Sequence, residues 1–133
     1  LATITRKEPM EQAVRLIVAG GRYISDANLV FDTIRGSQMI PELIISGGCS
    51  GVDKFGEMFA KEHNIEIVRF LADWNKHGKA AGPIRNRQMA KFASENNNGA
   101  LILVWDGSSR GSKNMLENAM KYKLKIFQRI VTP

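Results

Sequence analysis

Cysteine is nearly absent from this chain. Cys49 stands alone, which rules out an internal disulfide framework and suits a reducing compartment. Two histidines and one cysteine are a poor basis for a zinc site, and neither a metal nor a resident cofactor is expected. No apolar run approaches the ~18 residues of a membrane-crossing helix. Leu1 to Gln12 is mostly polar and has no signal-peptide core. A cytoplasmic protein without membrane partners is therefore expected. Internal repeats and low-complexity tracts are missing too. The dinucleotide fingerprint Gly-x-Gly-x-x-Gly does not follow the first apolar run, which ends in Gly20-Gly21 alone. A Walker A loop is also absent, because no Gly-Lys-Ser/Thr follows Gly47-Gly48 at the required distance. An ordinary NAD dehydrogenase and a P-loop ATPase are both disfavoured.

What remains is an ordinary globular composition, 44% hydrophobic and 24% charged over 133 residues. The formal charge of +6 favours polyanionic or phosphorylated partners, although the lysines and arginines are scattered and not blocked. Residues 1–14 read as an N-terminal arm, and residues 15–133 as a single domain. Within the domain, short apolar runs alternate with amphipathic stretches. Arg15 to Ala19, Leu43 to Ser46, Ile65 to Phe70, Ala100 to Trp105 and Leu124 to Phe127 read as strands. The first helix carries Ala27, Val30, Phe31 and Ile34 on one face, capped by Ser25 or Asp26. A second opens at Ser50, with Ser50 and Asp53 as a variant capping box and Lys54, Glu57 and Lys61 facing solvent. Ala72 to Gly82 reads as a structureless polar connection, and Gly82-Pro83 starts a third helix with Met89, Ala90, Phe92 and Ala93 inward. Gly111-Ser112 opens a fourth, with Met115, Leu116, Ala119 and Met120 inward. The alternation predicts an α/β fold, a Rossmann-like three-layer sandwich. Its sheet is five-stranded and mostly parallel, with helices on both faces.

Ligands of such sheets sit beyond the carboxyl ends of the strands. The strand-to-helix turns converge there, and they supply the candidate binding residues: Gly20, Gly21, Arg22, Gly47, Gly48, Ser50, Gly51, Asp53, Asp73, Trp74, Arg85, Asn86, Asp106, Gly111 and Ser112. Ser46 to Asp53 reads as an anion turn, in which glycines let the backbone approach and the helix dipole favours phosphate. Arg85, in a first turn above an inward stripe, points over the sheet edge. Its guanidinium suits phosphate or carboxylate, or alternatively caps exposed carbonyls or pairs with Asp73 or Asp106.

The motifs Gly47-Gly48-x-x-Gly51-x-Asp53, Ala72-Asp73-Trp74, Gly78 to Asn86 with Met89, and Arg110-Gly111-Ser112 together resemble the YspA-like branch of the SLOG superfamily. The resemblance runs from about Arg15 to Phe127, and Gly20-Gly21-Arg22 resembles that family's Gly-Ser-Arg turn. It implies a Rossmann-like fold that binds nucleotides or nucleotide-derived molecules, with no established reaction for this branch. The superfamily also holds the LOG phosphoribohydrolases and the DprA DNA-processing proteins. Arg85-Asn86-x-x-Met89 and Gly107 to Met115 look like two LOG motifs, but Met115 stands where LOG enzymes have a glutamate. A thioether cannot stabilise a cationic transition state as an anion can, and Glu117 faces outward on the wheel. LOG-type hydrolysis is therefore disfavoured, while Asp53, Asp73 and Asp106 remain as carboxylates for acid–base work.

Single residues divide between sharper and plainer roles. Cys49 is a reactive thiol at a helix start or a small turn residue. His63 reads as a helix-end histidine and His77 as a loop histidine on the ligand face. Trp74 stacks on a base or seals the core, and Trp105 packs. Ser112 caps its helix or meets a phosphate or ribose. The leading expectation is a nucleotide-binding protein that forms a homo-oligomer. Its rivals are a hydrolase acting on an N-glycosidic or phosphate bond and a single-stranded nucleic-acid binder. No residue is singled out as catalytic.

Overall fold

Strand burial on both faces sets the architecture. In β1 (Ala13–Gly20) and β4 (Gly99–Trp105), successive side chains enter opposite cores. Leu16, Val18, Ile102 and Val104 go to one, and Ile17, Ala19, Leu101, Leu103 and Trp105 to the other. Such a strand cannot alternate apolar with polar, which is why these runs are continuously hydrophobic. The computed structural model describes residues 13–132. The arm expected over residues 1–14 lies outside the described residues except for Ala13 and Val14, which are already part of β1.

The remaining elements are α1 (Ala27–Gly36), β2 (Ile40–Ser46), α2 (Val52–Glu62), β3 (Glu66–Arg69), α3 (Trp74–His77), α4 (Ala81–Ser94), α5 (Arg110–Lys121) and β5 (Lys125–Ile130). The five strands are parallel, in the order β3-β2-β1-β4-β5. This is the expected α/β, Rossmann-like sheet. Helices α1 and α2 cover the core holding Leu16 and Ile102. Helices α4 and α5 cover the core holding Ile17, Met89 and Met115. The β1–β2 register slips between Val14 and Arg15, where Pro41 pairs and Glu42 is passed over. Proline has no ladder donor to offer, so a bulge is where a sheet tolerates it.

Several local expectations change. The helix that opens near Ser50 is capped by the backbone of Gly51, without a side-chain cap bond. The Ser50–Asp53 capping box is not formed. The Ser50 hydroxyl instead donates to the Arg22 carbonyl, and Asp53 accepts from the Cys49 N–H. Glu57 does not face solvent but is 4% exposed, because α2 lays it over the buried Ser46 hydroxyl at the end of β2. Arg69 of β3 closes on the same carboxylate with two donors. Burial pushes Glu57 up, but the bonds from Arg69 and Ser46 outweigh it and hold the group below the usual range. The connection after Ala72 is structured: Asp73 caps α3 by accepting from the Lys76 N–H, and a 3-10 turn over Gly78–Ala80 leads into α4. No residue of α3 is buried, so its sequence carries no apolar stripe to announce it. Helix α5 starts at Arg110, after Ser109, so Ser112 sits inside it and is not its cap. Met120 does not face in but is exposed. His63 ends α2, stacked on Phe59.

Among the described residues no helix is long and apolar enough to cross a membrane, and no cluster of His, Cys, Asp and Glu could hold a metal ion.

Candidate functional site

With this strand order the crossovers change direction between β1 and β4. The carboxyl ends of two adjacent strands therefore diverge and leave a crevice. A cavity of about 930 Å³ opens there. Ala19, Gly20 and Gly21 form one side of it, and Asp106 with the first turn of α5 forms the other. Gly20 is where the two strand ends touch: a Cβ on it would stand 1.8 Å from the Val104 carbonyl oxygen. Gly51 makes a similar approach from the next turn. Its Cβ would meet the Gly21 carbonyl at 2.3 Å, and its φ of +76° already favours glycine. The two glycines bring the first and second strand-to-helix turns into backbone contact, sealed by a bond from the Val52 N–H to the Gly21 carbonyl.

The turn from Ser46 to Asp53 is closed on itself. The Gly48 N–H goes to Ser46 Oγ, the Cys49 N–H to Asp53, and the Gly47 carbonyl accepts from Arg85 at 2.7 Å. Gly47, Gly48, Ser50 and Gly51 do not line the cavity, and from this turn only Cys49 and then Asp53 reach it. The Gly48 and Cys49 N–H groups, two of the donors expected to cradle an anion, are thus engaged within the turn itself. Asp73 is likewise off the cavity, as the cap of α3, and His77 does not line it.

Arg85 lines the cavity at 8% exposed, yet much of its donor fork is committed. Nη1 donates to the Gly47 carbonyl, Nε to Asn86 Oδ1 at 3.0 Å, and Nη2 lies 3.9 Å from Cys49 Sγ. It takes the carbonyl-capping role and pairs with neither Asp73 nor Asp106. Asn86 passes the tie onward, donating to Asn114 Oδ1 and the Gly111 carbonyl of α5. A continuous chain of bonds thus fixes α4, the second turn and the start of α5 relative to one another.

The open donors lie at the start of α5. The Asp106 carboxylate accepts from the Ser108 and Ser109 N–H groups, which hold it below the usual carboxylate range, so it is anionic at neutral pH and not a proton donor. The N–H groups of Arg110, Gly111 and Ser112 follow, and helix geometry gives them no acceptor inside α5. All three residues line the cavity. Ser112 is 6% exposed, and its hydroxyl has no hydrogen-bond partner among the described residues. Arg22, Lys79 and Arg110 are the exposed cations of the cavity lining.

Trp74 is 54% exposed on the cavity wall beside Gly82, so it does not seal the core; Trp105 is buried and donates to Gln128. Tyr23, 93% exposed, faces the opening from the first turn. Tyr23 and Asn114 were not among the residues expected at the site. The available signals were an aromatic directly after Gly20-Gly21-Arg22, and Asn114 with Asn118 spaced one helical turn apart beside Met115 and Ala119. Met115 lines the cavity, 1% exposed, as an apolar floor.

Asp53 is 5% exposed and makes no ion pair among the described residues. Burial pushes its carboxyl up from 3.8 to about 6, against the Cys49 N–H and Arg85, which pull it down. A carboxyl raised on folding favours the folded state fully below pH 3.8, and that advantage is lost as pH rises through 6. Asp53→Asn is therefore expected to raise stability at pH 7.5, by up to about 3 kcal/mol, and to have little effect at pH 4. Urea melts at the two pH values check this.

Residues 14–77 match the model of the YAcAr family, described as the YspA, cpYpsA-related SLOG family. The Gene 61 protein of Mycobacterium phage D29 is 25% identical over 116 residues, covering 80% of this chain and 89% of that protein. The solved structure of DNA processing protein A (DprA) from Streptococcus pneumoniae superposes with a TM-score of 0.66 at 20% identity. That match covers 86% of this chain, which spans 50% of the DprA chain, and at this identity it speaks for the fold. The motifs from Gly47 to Asp53 and at Asp73-Trp74 lie inside the matched segment, and that segment is similar to the YspA-related SLOG family.

Proposed function

We propose that the protein binds a nucleotide or nucleotide-derived molecule in the cavity between the ends of β1 and β4, with its phosphate on the first turn of α5. The observation that carries this reading is the Ser112 hydroxyl, unpartnered among the described residues and on a residue only 6% exposed, beside the open N–H groups of Arg110 and Gly111. A helix N-terminus with such donors suits a phosphate, and Arg110 in that turn and Lys79 of the same cavity lining add charge. Tyr23 and Trp74 offer exposed ring faces for a base. Arg85 then serves mainly to hold the second turn and, through Asn86, α5.

The test is a thermal-shift panel of AMP, ADP, cyclic AMP, NAD and ADP-ribose. Saturation at about a hundred times Kd is expected to stabilise the protein by about 2.7 kcal/mol. Arg110→Glu is expected to weaken binding at least about tenfold, because it reverses a charge at the phosphate end. No shift with any of the five, together with tight salt-dependent binding of single-stranded DNA, would replace this reading with the nucleic-acid one. A hydrolytic role has one observation in its favour, the near-neutral Asp53 carboxyl on the cavity wall. The apolar Met115 counts against a LOG-type reaction, and release of free base from AMP would be its signature.

A further inference from the structure

The anion seat and the Asp53 carboxyl belong to one cavity, and this has a consequence for binding. Asp53 reaches the cavity from the first turn of α2 and is 5% exposed. Its environment is mostly neutral. From the end of β1 it faces the Gly20 N–H, and from its own turn it accepts from the Cys49 N–H. From α4 it faces Arg85, the one cation acting on it, whose donors are already shared with the Gly47 carbonyl and Asn86. From α2 itself it faces Glu57, a like charge one turn on, though Glu57 is compensated by Arg69. The other charged residues of the cavity wall, Arg22, Asp26, Lys79, Asp106 and Arg110, are exposed.

We propose that Asp53 takes up a proton when the cavity takes up its phosphorylated ligand, so that binding is proton-linked and weakens as pH rises. This rests on the nucleotide reading of the cavity. The physical reason is that a buried carboxylate with no ion pair tolerates a second anion in the same cavity poorly. Protonation removes the repulsion and turns an acceptor into a donor. The free protein holds this carboxyl near pH 6, and a bound anion raises it further, so the two states differ in protonation just above pH 6. A solution at pH 6 then favours binding and one at pH 8 opposes it.

The experiment compares wild type with Asp53→Asn, using whichever of the five panel nucleotides binds most tightly, by calorimetry at pH 6 and pH 8. Ionisation of the ligand enters both proteins equally, so the difference between them belongs to Asp53. Wild-type affinity is expected to fall about fivefold more than that of the variant over this interval, as it does when binding raises the midpoint of one carboxyl from about pH 6 to about pH 7. In parallel, carbon NMR of the wild-type Asp53 carboxyl with and without that nucleotide reads its titration directly, whether or not the variant folds. A midpoint higher in the complex is expected. Equal pH dependence in both proteins, or an unchanged midpoint, overturns the proposal while leaving nucleotide binding intact. Failure of all five nucleotides to bind at either pH overturns the nucleotide reading and the proposal with it.

Discussion

Gly20→Ala is expected to unfold the protein or leave it marginal, losing roughly 5 kcal/mol. The added methyl would lie 1.8 Å from the carbonyl oxygen of Val104, and no flexible side chain can give way, because the obstacle is backbone. Relief requires β1 and β4 to part where Gly20 pairs with Val104, which also strains the bond from the Gly21 N–H to the same carbonyl. Both strands are buried on both faces by well-packed side chains, so the displacement spreads into two cores. Overpacking in a core ordinarily costs about 1–3 kcal/mol, and a backbone clash at a central strand pair exceeds that range. Circular dichroism and urea melts of the purified variant check it. A loss under 1 kcal/mol would mean that the strand ends are more compliant than their pairing implies.

The second large effect is expected at Arg85. Arg85→Met keeps much of the volume and removes every polar contact. The Gly47 carbonyl and Asn86 Oδ1 lose their donor, and Asp53 loses the one cation near it. Leaving buried polar groups unsatisfied costs about 1–3 kcal/mol each, so a total of about 4 kcal/mol is expected. The loss has a pH signature. Without Arg85 the Asp53 carboxyl rises above 6, so the penalty for its ionised form grows and the variant's deficit is larger at pH 8 than at pH 5. Denaturant midpoints at the two pH values test both magnitude and sign. Arg85→Lys is expected to recover only part of the loss, since an ammonium cannot reproduce the planar fork that meets Gly47 and Asn86 at once.

Much of the fold could be read from the residues because the core strands are buried on both sides. Leu16 to Ala19, Leu43 to Ile45 and Ala100 to Trp105 are apolar at every position, a pattern that turns and surface helices do not imitate. The strand ends were read short where exposure returns, as at Ile40 to Glu42 and Gln128 to Ile130. The burial of Glu57 is hidden from the sequence for a different reason. Its burial depends on Ser46 and on Arg69, eleven and twelve residues away, and a helical wheel holds no information about either. The turn from Ser46 to Asp53 has the same difficulty. A glycine-rich turn before a helix looks alike whether its donors are open or spent. Ser46 and Asp53 take the Gly48 and Cys49 donors, while the distant Arg85 holds the Gly47 carbonyl. At the start of α5 the glycine and serine were recognised. That Asp106 takes the two preceding N–H groups, and that the next three residues line the cavity, is a matter of backbone geometry, visible only in three dimensions.

The pairing of β1 with β4 also bears on how the molecule comes into being. Arg15 lies beside Gly99, and Gly20 beside Val104, across some eighty residues of intervening chain. During synthesis the residues of the first wall are made some eighty residues before β4, and that wall waits for β4 and α5 to arrive. Closing so long a loop is entropically costly and slow compared with local helix formation. The cavity is thus among the last features to assemble. A molecule bound there would report that the whole domain has folded, not one part of it.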